Sequence, residues 1–326
     1  MIAIQISSPG SPEVLRAVDL PKPVPGQGEV LIRVEAAGVA HADLLQRHGV
    51  YPPPQGASPI PGLDVAGTID CVGPDVHDWK IGDSVCAIVP GGGYAEFCLA
   101  PALQVLPIPR GWSAIEAATL PENLFTVYDN LITRARLKHG ETVLIHGGSS
   151  GIGCSAIMLS RAIGALPFVT AGTEEKCRAC LSFGALQAIN YKDLDFVREV
   201  HRITAGIGVN VVLDMIGGSY LARNLESLAI EGRLSIIAPQ GCKIGQLDVE
   251  KLMVKRATIL GSTMRSRSPI EKGAIAQRLL EQVWPLLPAK DVFRPIIDST
   301  FPLSQAHLAH QRLESGQHIG KIVLTL

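Results

Sequence analysis

Apolar and polar positions alternate along this chain in two different ways. Up to about residue 110, short runs rich in β-branched residues (Ile2–Ile6, Val30–Ala36, Val65–Val72, Asp83–Val89 and Ala95–Ala100) are separated by proline- and glycine-rich stretches. That is the pattern of strands joined by turns. Pro21–Gly26 and Tyr51–Pro54 lack the ladder donors of a central strand. Ser113 with Glu116 three positions later predicts a boxed helix start, and a second helical pattern runs from Leu124 to about Leu137. From Thr142 the pattern changes to strand alternating with helix. Strands are expected at Thr142–Ile145, Leu166–Thr170, Ala188–Asn190, Val209–Asp214, Gly232–Ile237 and Thr258–Gly261. Helices are expected through Ala156–Ile163, from Thr173, and over Leu194–His201 and Tyr220–Leu228. This alternation predicts an α/β class with a parallel, doubly wound sheet. A helix from about Ile270 to Leu287, a strand at Ile296-Ile297, a helix over Ser304–Leu313 and a strand over Lys321–Leu326 close the chain.

Composition narrows the function classes. A length of 326 residues suits two domains, and 47% apolar with 18% charged residues is a globular balance. The formal net charge is −1 and no run of Lys or Arg occurs, so nothing recruits nucleic acid or an anionic membrane. No apolar run reaches the roughly 20 residues of a membrane span. Met1-Ile2-Ala3-Ile4 enters a strand-like segment without a basic leader, so a mature cytoplasmic chain is expected. Seven cysteines, an odd number scattered through apolar segments, read as reduced, buried thiols. Cys177 and Cys180 form a C-x-x-C inside a predicted helix. Without a second pair or a delivering strand, it reads as helix packing rather than a zinc or redox motif.

Candidate chemistry concentrates between Thr142 and Thr173. The strand Thr142–Ile145 runs directly into His146-Gly147-Gly148-Ser149-Ser150-Gly151-Ile152-Gly153, and a helix and second strand follow. This unit aims backbone N–H groups and a helix N-terminus at a pyrophosphate. Gly148, Gly151 and Gly153 are expected to supply positive φ and an open approach, with Ser150 in place of the usual middle glycine. The same letters spell G-x-S-x-G, a hydrolase elbow with Ser149 as nucleophile and Asp214 plus His307, His310 or His318 downstream. A short-chain dehydrogenase reading fails, because no tyrosine (Tyr51, Tyr94, Tyr128, Tyr191, Tyr220) has a lysine four positions later. The second strand ends in Ala171-Gly172-Thr173 with Lys176 one turn on, and no carboxylate stands at the strand tip. A 2′-phosphate meets no repulsion there, which favours NADP(H) over NAD. The alternatives are Thr173 as a simple cap, Lys176 as a solvated lysine, and Glu174 as a displaced ribose acid.

Further motifs identify a family. Gly38–Leu44, Pro61–Gly67, Ile81-Gly82-Asp83 and Gly92–Glu96 resemble the medium-chain dehydrogenase/reductase superfamily. Gly261–Arg267 and Gly316–Leu324 resemble its quinone oxidoreductase group, which includes the ζ-crystallins. His48–Pro54, Trp79–Asp83 and Pro90–Gly93 resemble the tumour-suppressor-induced quinone oxidoreductase branch. The resemblance implies a GroES-like substrate domain (residues 1–118 and 267–326) around an inserted Rossmann domain (residues 119–266), with the cofactor in an interdomain cleft. It also implies a homodimer joined through Rossmann sheet edges.

Zinc members of the superfamily place a Cys at Ala40, a His at Leu63, a Glu at Asp64 and a Cys near Glu122. Alanine and leucine offer a metal no lone pair, so no metal is expected. The resemblance places pyrophosphate contacts on Ser149, Ser150, Gly151 and Ile152, with Gly153 completing the turn, and adenosine-phosphate contacts on Gly172, Thr173 and Lys176. It places adenine stacking on Tyr191, and nicotinamide contacts on Thr126, Gly218, Thr263, Met264 and Arg265. Tyr51 is the expected catalytic hydroxyl; its plain structural alternative is packing on the Pro52–Pro54 run. Many relatives have an asparagine at Ala40. The expected activity is NADPH-dependent quinone reduction, the alternatives being enone reduction and non-catalytic NADPH binding.

Overall fold

The structure, a computed structural model, describes residues 1–288 and 292–326. The chain begins with β1 (Ile2–Ile6), β2 (Leu15–Asp19), β3 (Glu29–Val39), α1 (His41–Arg47), β4 (Asp64–Val72), β5 (Ser84–Ile88), β6 (Phe97–Pro101) and β7 (Val105–Pro107). Next come α2 (Ala114–Ala117), α3 (Pro121–Val127) and a π-helical stretch, Tyr128–Arg134. The alternating region holds β8 (Thr142–His146), α4 (Gly151–Ala162), β9 (Leu166–Ala171), α5 (Glu174–Ser182), β10 (Gln187–Asn190) and α6 (Phe196–Ile203). It continues through β11 (Val209–Asp214), α7 (Leu221–Ser227), β12 (Leu228–Ile236), α8 (Val249–Lys255) and β13 (Thr258–Gly261). The chain closes with α9 (Pro269–Gln282), β14 (Ile297–Pro302), α10 (Ala306–Glu314) and β15 (Lys321–Thr325).

Two compact units result. One takes Met1–Phe125 with most of the chain from Arg265 onward, and the other takes Thr126–Met264. The second unit thus starts seven residues after the expected 119 and ends two before the expected 266. Around the first seam, α2 packs on β3, β4 and β5, and the backbone N–H of Glu122 donates to Asp64 Oδ1 at 2.5 Å. In the first unit the sheet order is β14-β15-β3-β4-β5-β7, with β6 also on β3 and β1-β2 as a separate ribbon. The last strand thus pairs antiparallel with β3, Val323 opposite Gly38. A Cβ on Gly38 would lie 2.6 Å from Ala118 O and 2.8 Å from Asp64 Oδ2, so only glycine admits this close packing. The core alternates Val30, Ile32 and Val34 of β3 with Val65 and Ile69 of β4 and Ile322 and Leu324 of β15. The second unit is a six-stranded parallel sheet, β10-β9-β8-β11-β12-β13, cored by Leu144, Phe168, Val212, Leu225 and Leu234. Among the described residues no helix is long and apolar enough to cross a membrane.

Several expectations are corrected. The pattern from Leu124 is not one α-helix, since α3 stops at Val127 and π-helical turns follow. Helix α1 was unpredicted because its buried face carries Asp43, Gln46 and Arg47, which hide the apolar period. Helix α8 buries no residue, and β2 and β7 are short. All seven cysteines are free; five are buried, including Cys177 and Cys180 on α5, but Cys71 is half-buried and Cys242 is exposed.

The polar face of α1 meets α10. Arg47 is fully buried; its guanidinium donates to His310 Nδ1 at 3.2 Å and to Gly10 O at 2.9 Å, and pairs with Glu314. With Nδ1 accepting, His310 Nε2 carries the proton toward the Tyr94 hydroxyl at 3.1 Å. Tyr94 in turn donates to Asp43 Oδ2 at 3.3 Å. Burial, then the Arg47 charge, push the His310 pKa down to about 3. An unfolded chain takes up this proton below its ordinary value of about 6.5, while the folded chain refuses it until about 3. This group therefore costs stability as pH falls through that window, by about 1.4 kcal/mol per pH unit. His310→Gln keeps a donor and an acceptor without titrating. In urea unfolding at about pH 7 and about pH 5, the wild type should lose roughly 2 kcal/mol more than the variant; equal losses would refute a neutral buried His310.

Candidate active site

Because every strand of the second unit runs the same way, all their carboxyl ends lie along one sheet edge. Ser149–Gly153 follow β8, Gly172–Lys176 follow β9, Tyr191 follows β10, Gly218 lies beyond β11, and Thr263 and Met264 follow β13. The topology therefore brings these expected cofactor residues to one edge, although they are scattered over more than 100 positions of sequence. Thr126 is buried on α3, and its carbonyl accepts from Asn130 Nδ2 at 2.9 Å. Asn130 Oδ1 in turn accepts from Ser235 (3.0 Å) and Ser262 (2.8 Å), fixing the ends of β12 and β13. Arg265 belongs to the other unit.

The glycine turn is built differently from the expectation. Positive φ falls on Gly147 (68°), not on Gly148, Gly151 or Gly153. Gly148 and Gly153 are needed for contact instead. A Cβ on the first would lie 2.6 Å from Val169 Cβ, and on the second 2.3 Å from Gly147 O. Ser150 Oγ caps α4 by accepting from Gly153 N at 3.0 Å. The first N–H groups of a helix have no partner within it, and this cap takes only one of them. Those of Gly151 and Ile152 are thus positioned for an anion at the positive end of α4. On the adenosine side, Thr173 Oγ1 caps α5 by accepting from Lys176 N at 3.2 Å. Tyr191 is half-exposed, with its hydroxyl 3.0 Å from where a Cβ on Gly172 would stand. Glu174 Oε1 accepts from Asn190 Nδ2 at 3.4 Å, so the nearest carboxylate is drawn toward Asn190. These groups fit a phosphorylated adenosine: caps, backbone donors, a lysine and an accessible ring, with no acid at the tip of β9.

Two buried groups brace the same edge. Asp214, at the end of β11, accepts from Ile216 N (2.7 Å) and Gly217 N (3.1 Å), holding the turn that carries Gly218. Burial pushes its pKa up to about 6. His146, at the end of β8, is fully buried between Thr170 Oγ1 (3.0 Å) and Asn224 Oδ1 (2.7 Å), and burial lowers its pKa to about 4. The hydrolase alternative loses its support here. Ser149 is buried, Asp214 is committed to backbone N–H groups, and both His310 ring nitrogens are engaged by Arg47 and Tyr94.

In the first unit, Tyr51 lies under Arg265. The guanidinium is 5.4 Å from the ring centroid and donates to Tyr51 O (3.3 Å), Pro90 O (2.8 Å) and Gln46 Oε1 (2.7 Å). Partial burial raises the Tyr51 pKa; Arg265 pulls it down and Glu122 pushes it further up. The phenol therefore keeps its proton at neutral pH. Glu122 belongs to a buried ionic cluster: Lys321 Nζ lies 2.6 Å from Asp64 Oδ2 and 3.5 Å from Glu122 Oε2. Burial raises the pKa of both carboxyls against the pull of Lys321. Burial also works against the Lys321 ammonium, but the two acids overcome it and raise its pKa.

A catalytic zinc does not fit this donor set. Ala40 and Leu63 are buried without a lone pair, and an ammonium stands between the only two acids at the corresponding positions. Sequence reasoning missed the Lys321 cluster and the Arg265–Gln46 tether. Lys321 stood inside the Gly316–Leu324 motif, but only the β15–β3 pairing puts it beside Asp64.

Residues 26–110 match the family described as "Alcohol dehydrogenase GroES-like domain", and residues 151–280 that described as "Zinc-binding dehydrogenase". The chain is 33% identical over 334 residues to the quinone oxidoreductase of Rattus norvegicus, covering 100% of this chain and 98% of the relative. The crystal structure of Escherichia coli quinone oxidoreductase complexed with NADPH is similar with a TM-score of 0.89 at 28% identity, covering 100% of each chain. The JamJ enoyl reductase is similar with a TM-score of 0.87 at 28% identity, covering 99% of this chain and 98% of its own. With a GroES-like β-rich unit, a Rossmann-type parallel sheet and full-length likeness to a quinone oxidoreductase, the chain belongs to the quinone oxidoreductase group of the medium-chain dehydrogenase/reductase family.

Proposed function

We propose that the protein is an NADPH-dependent quinone reductase that works without a metal. The observation that carries this reading is the carboxyl edge of the parallel sheet, where a capped helix start, the Gly172-Thr173-Lys176 corner and Tyr191 meet. Similarity to the NADPH complex of the Escherichia coli enzyme supports the same cofactor. When bound, a reduced nicotinamide supplies the reducing equivalents.

The chain's own residues bind and orient. Backbone N–H groups of Gly151 and Ile152, with Ser149 and Ser150 beside them, receive the pyrophosphate. Thr173 and Lys176 receive the 2′-phosphate, and Tyr191 covers the adenine. Gly218, Thr263 and Met264 border the nicotinamide, Thr126 contributes from α3, and Arg265 acts through the Tyr51 loop it tethers. Tyr51 holds its proton and donates it toward the carbonyl oxygen of the acceptor. Without a Lewis acid an alcohol is hard to deprotonate at neutral pH, whereas a quinone already accepts electrons, so the absence of zinc donors suits reduction of a quinone. The likeness to an enoyl reductase supports a second reading, reduction of α,β-unsaturated carbonyls. Homodimerisation belongs to the same proposal: β13 is one of the two outer strands of its sheet and offers its free edge to a second copy.

Following NADPH absorbance with an ortho-quinone, with an enone and with no acceptor separates the readings. Oxidation is expected with the quinone; turnover of the enone alone favours the second reading. NADPH binding without turnover would reject both in favour of a binding protein. Lys176→Ala should weaken NADPH by roughly ten- to a hundredfold while leaving NADH within about twofold, as the loss of one charged phosphate contact implies. Equal losses in a titration of both cofactors would remove the 2′-phosphate from this corner. Tyr51→Phe should lower kcat/KM for the quinone about tenfold with NADPH affinity unchanged; an unaltered rate would make Tyr51 a packing residue.

A further inference from the structure

The opposite edge of the parallel sheet carries a cavity of about 450 Å³, lined by residues around the amino ends of β8, β11, β12 and β13. Its floor is Arg233, whose guanidinium donates to the carbonyls of Ala135 (2.8 Å) and Arg136 (3.1 Å) and grips Glu141 through both oxygens at 3.0 and 2.6 Å. Glu231, the other acid of the lining, pairs with Arg256 at 3.4 Å. Both acids are thus neutralised by arginines. The wall still carries more cations than acids: Lys138 shares Glu141, which accepts from its backbone N–H at 2.9 Å, Arg136 makes no ion pair or side-chain hydrogen bond with a described residue, and Arg134 makes one bond, to Gly261 O at 2.9 Å. Arg134 Nε is shut off from solvent without a partner among the described residues. A buried donor left unmatched costs stability, so its retention calls for an acceptor that comes from outside the chain.

Backbone strain gathers at the same place. Among the described residues, Arg136 (φ 51°), Glu231 (62°) and Arg256 (49°) are three of the five non-glycine residues with positive φ, and two of them line the cavity. Such conformations persist where the surroundings enforce them, and here Arg233 fixes the Arg136 carbonyl. The volume lies within the range of small-molecule sites. Spare positive charge, a preset floor and arginine forks match phosphate oxygens. We propose that this cavity binds a small phosphorylated anion, at the far end of the sheet from the dinucleotide site. The proposal does not rest on the assigned activity. Thr258 and Leu260 bring β13 to its wall, so an occupant would lie beside the edge offered to a second copy.

The test is calorimetric titration of inorganic pyrophosphate into protein saturated with NADPH, at constant ionic strength. One saturable site per chain is expected. Arg136→Gln combined with Lys138→Gln, both exposed positions, should weaken it at least about tenfold, while Lys80→Gln, an exposed lysine outside both sites, leaves it within about twofold. The thermal midpoint of the double variant, read in parallel, checks that it folds; should it not, Arg136→Gln alone replaces it with a loss in the same direction. No saturable heat from the wild type, heat that survives the double substitution, or heat that disappears with Lys80→Gln would each overturn the proposal. Tighter binding of citrate than of pyrophosphate would reject phosphate as the recognised group.

Discussion

Parallel strands impose the constraint on which the rest of this protein depends. A parallel ladder gives every strand the same polarity, so each carboxyl end delivers its following loop to a common edge. Residues separated widely in sequence need no long-range side-chain contact to meet; the hydrogen-bonded register of β8, β9, β10, β11 and β13 assembles them. The local chemistry then has only small tasks. Val169 allows no side chain at Gly148, Gly147 O allows none at Gly153, and Ser150 closes one helix donor while others stay open. The same polarity sends all the amino ends to the other edge, where the positively charged cavity lies around Arg233.

The first unit solves a different problem, that of keeping charges inside a β-rich core. Arg47, Asp43, Asp64 and Lys321 are all buried, and none is isolated. Burying a lone charge costs several kcal/mol, and pairing recovers this only with good geometry. Arg47 is held by a carbonyl, an imidazole and a carboxylate; Asp43 accepts from Ala40 N at 2.9 Å and Gly62 N at 2.8 Å. Lys321 stands between two acids. These groups join α1, β4, α3 and β15, four pieces of chain far apart in sequence, and their directional demands fix register in a way that interchangeable aliphatic contacts do not.

Much of this was legible in the sequence for identifiable reasons. β1, β11 and β13 were read with their observed bounds, because β-branched runs flanked by turn residues leave little choice. The caps at Ser113 and Thr173 follow from side-chain chemistry within three residues. What failed was whatever depends on distant partners. Helix α1 turns a charged face inward only because α10 meets it with His310 and Glu314. The positive φ belongs to Gly147 rather than Gly148, and distant side chains crowd both positions, Met215 just after β11 the first and Val169 of β9 the second. Tyr51 was legible as a candidate hydroxyl, whereas the Arg265 tether that orients its loop joins positions 214 residues apart.

The Lys321 cluster bears on what chemistry the fold permits. A dication polarises an oxygen by direct coordination, and it needs open lone pairs converging on one point. Here an ammonium occupies the space between Asp64 and Glu122, and it cannot release those acids without leaving a buried and a half-buried carboxylate to repel each other. Replacing Ala40 and Leu63 with metal-binding residues would therefore not by itself create a zinc site; Lys321 would have to be removed as well. The positive charge that remains is fixed and saturated by its two partners, so it contributes structure rather than a coordination site for an alkoxide. On the reading proposed above, activation is left to the acceptor itself and to the protonated phenol of Tyr51. On that same reading the site suits substrates that need orientation and one hydrogen bond rather than a strong electrophile.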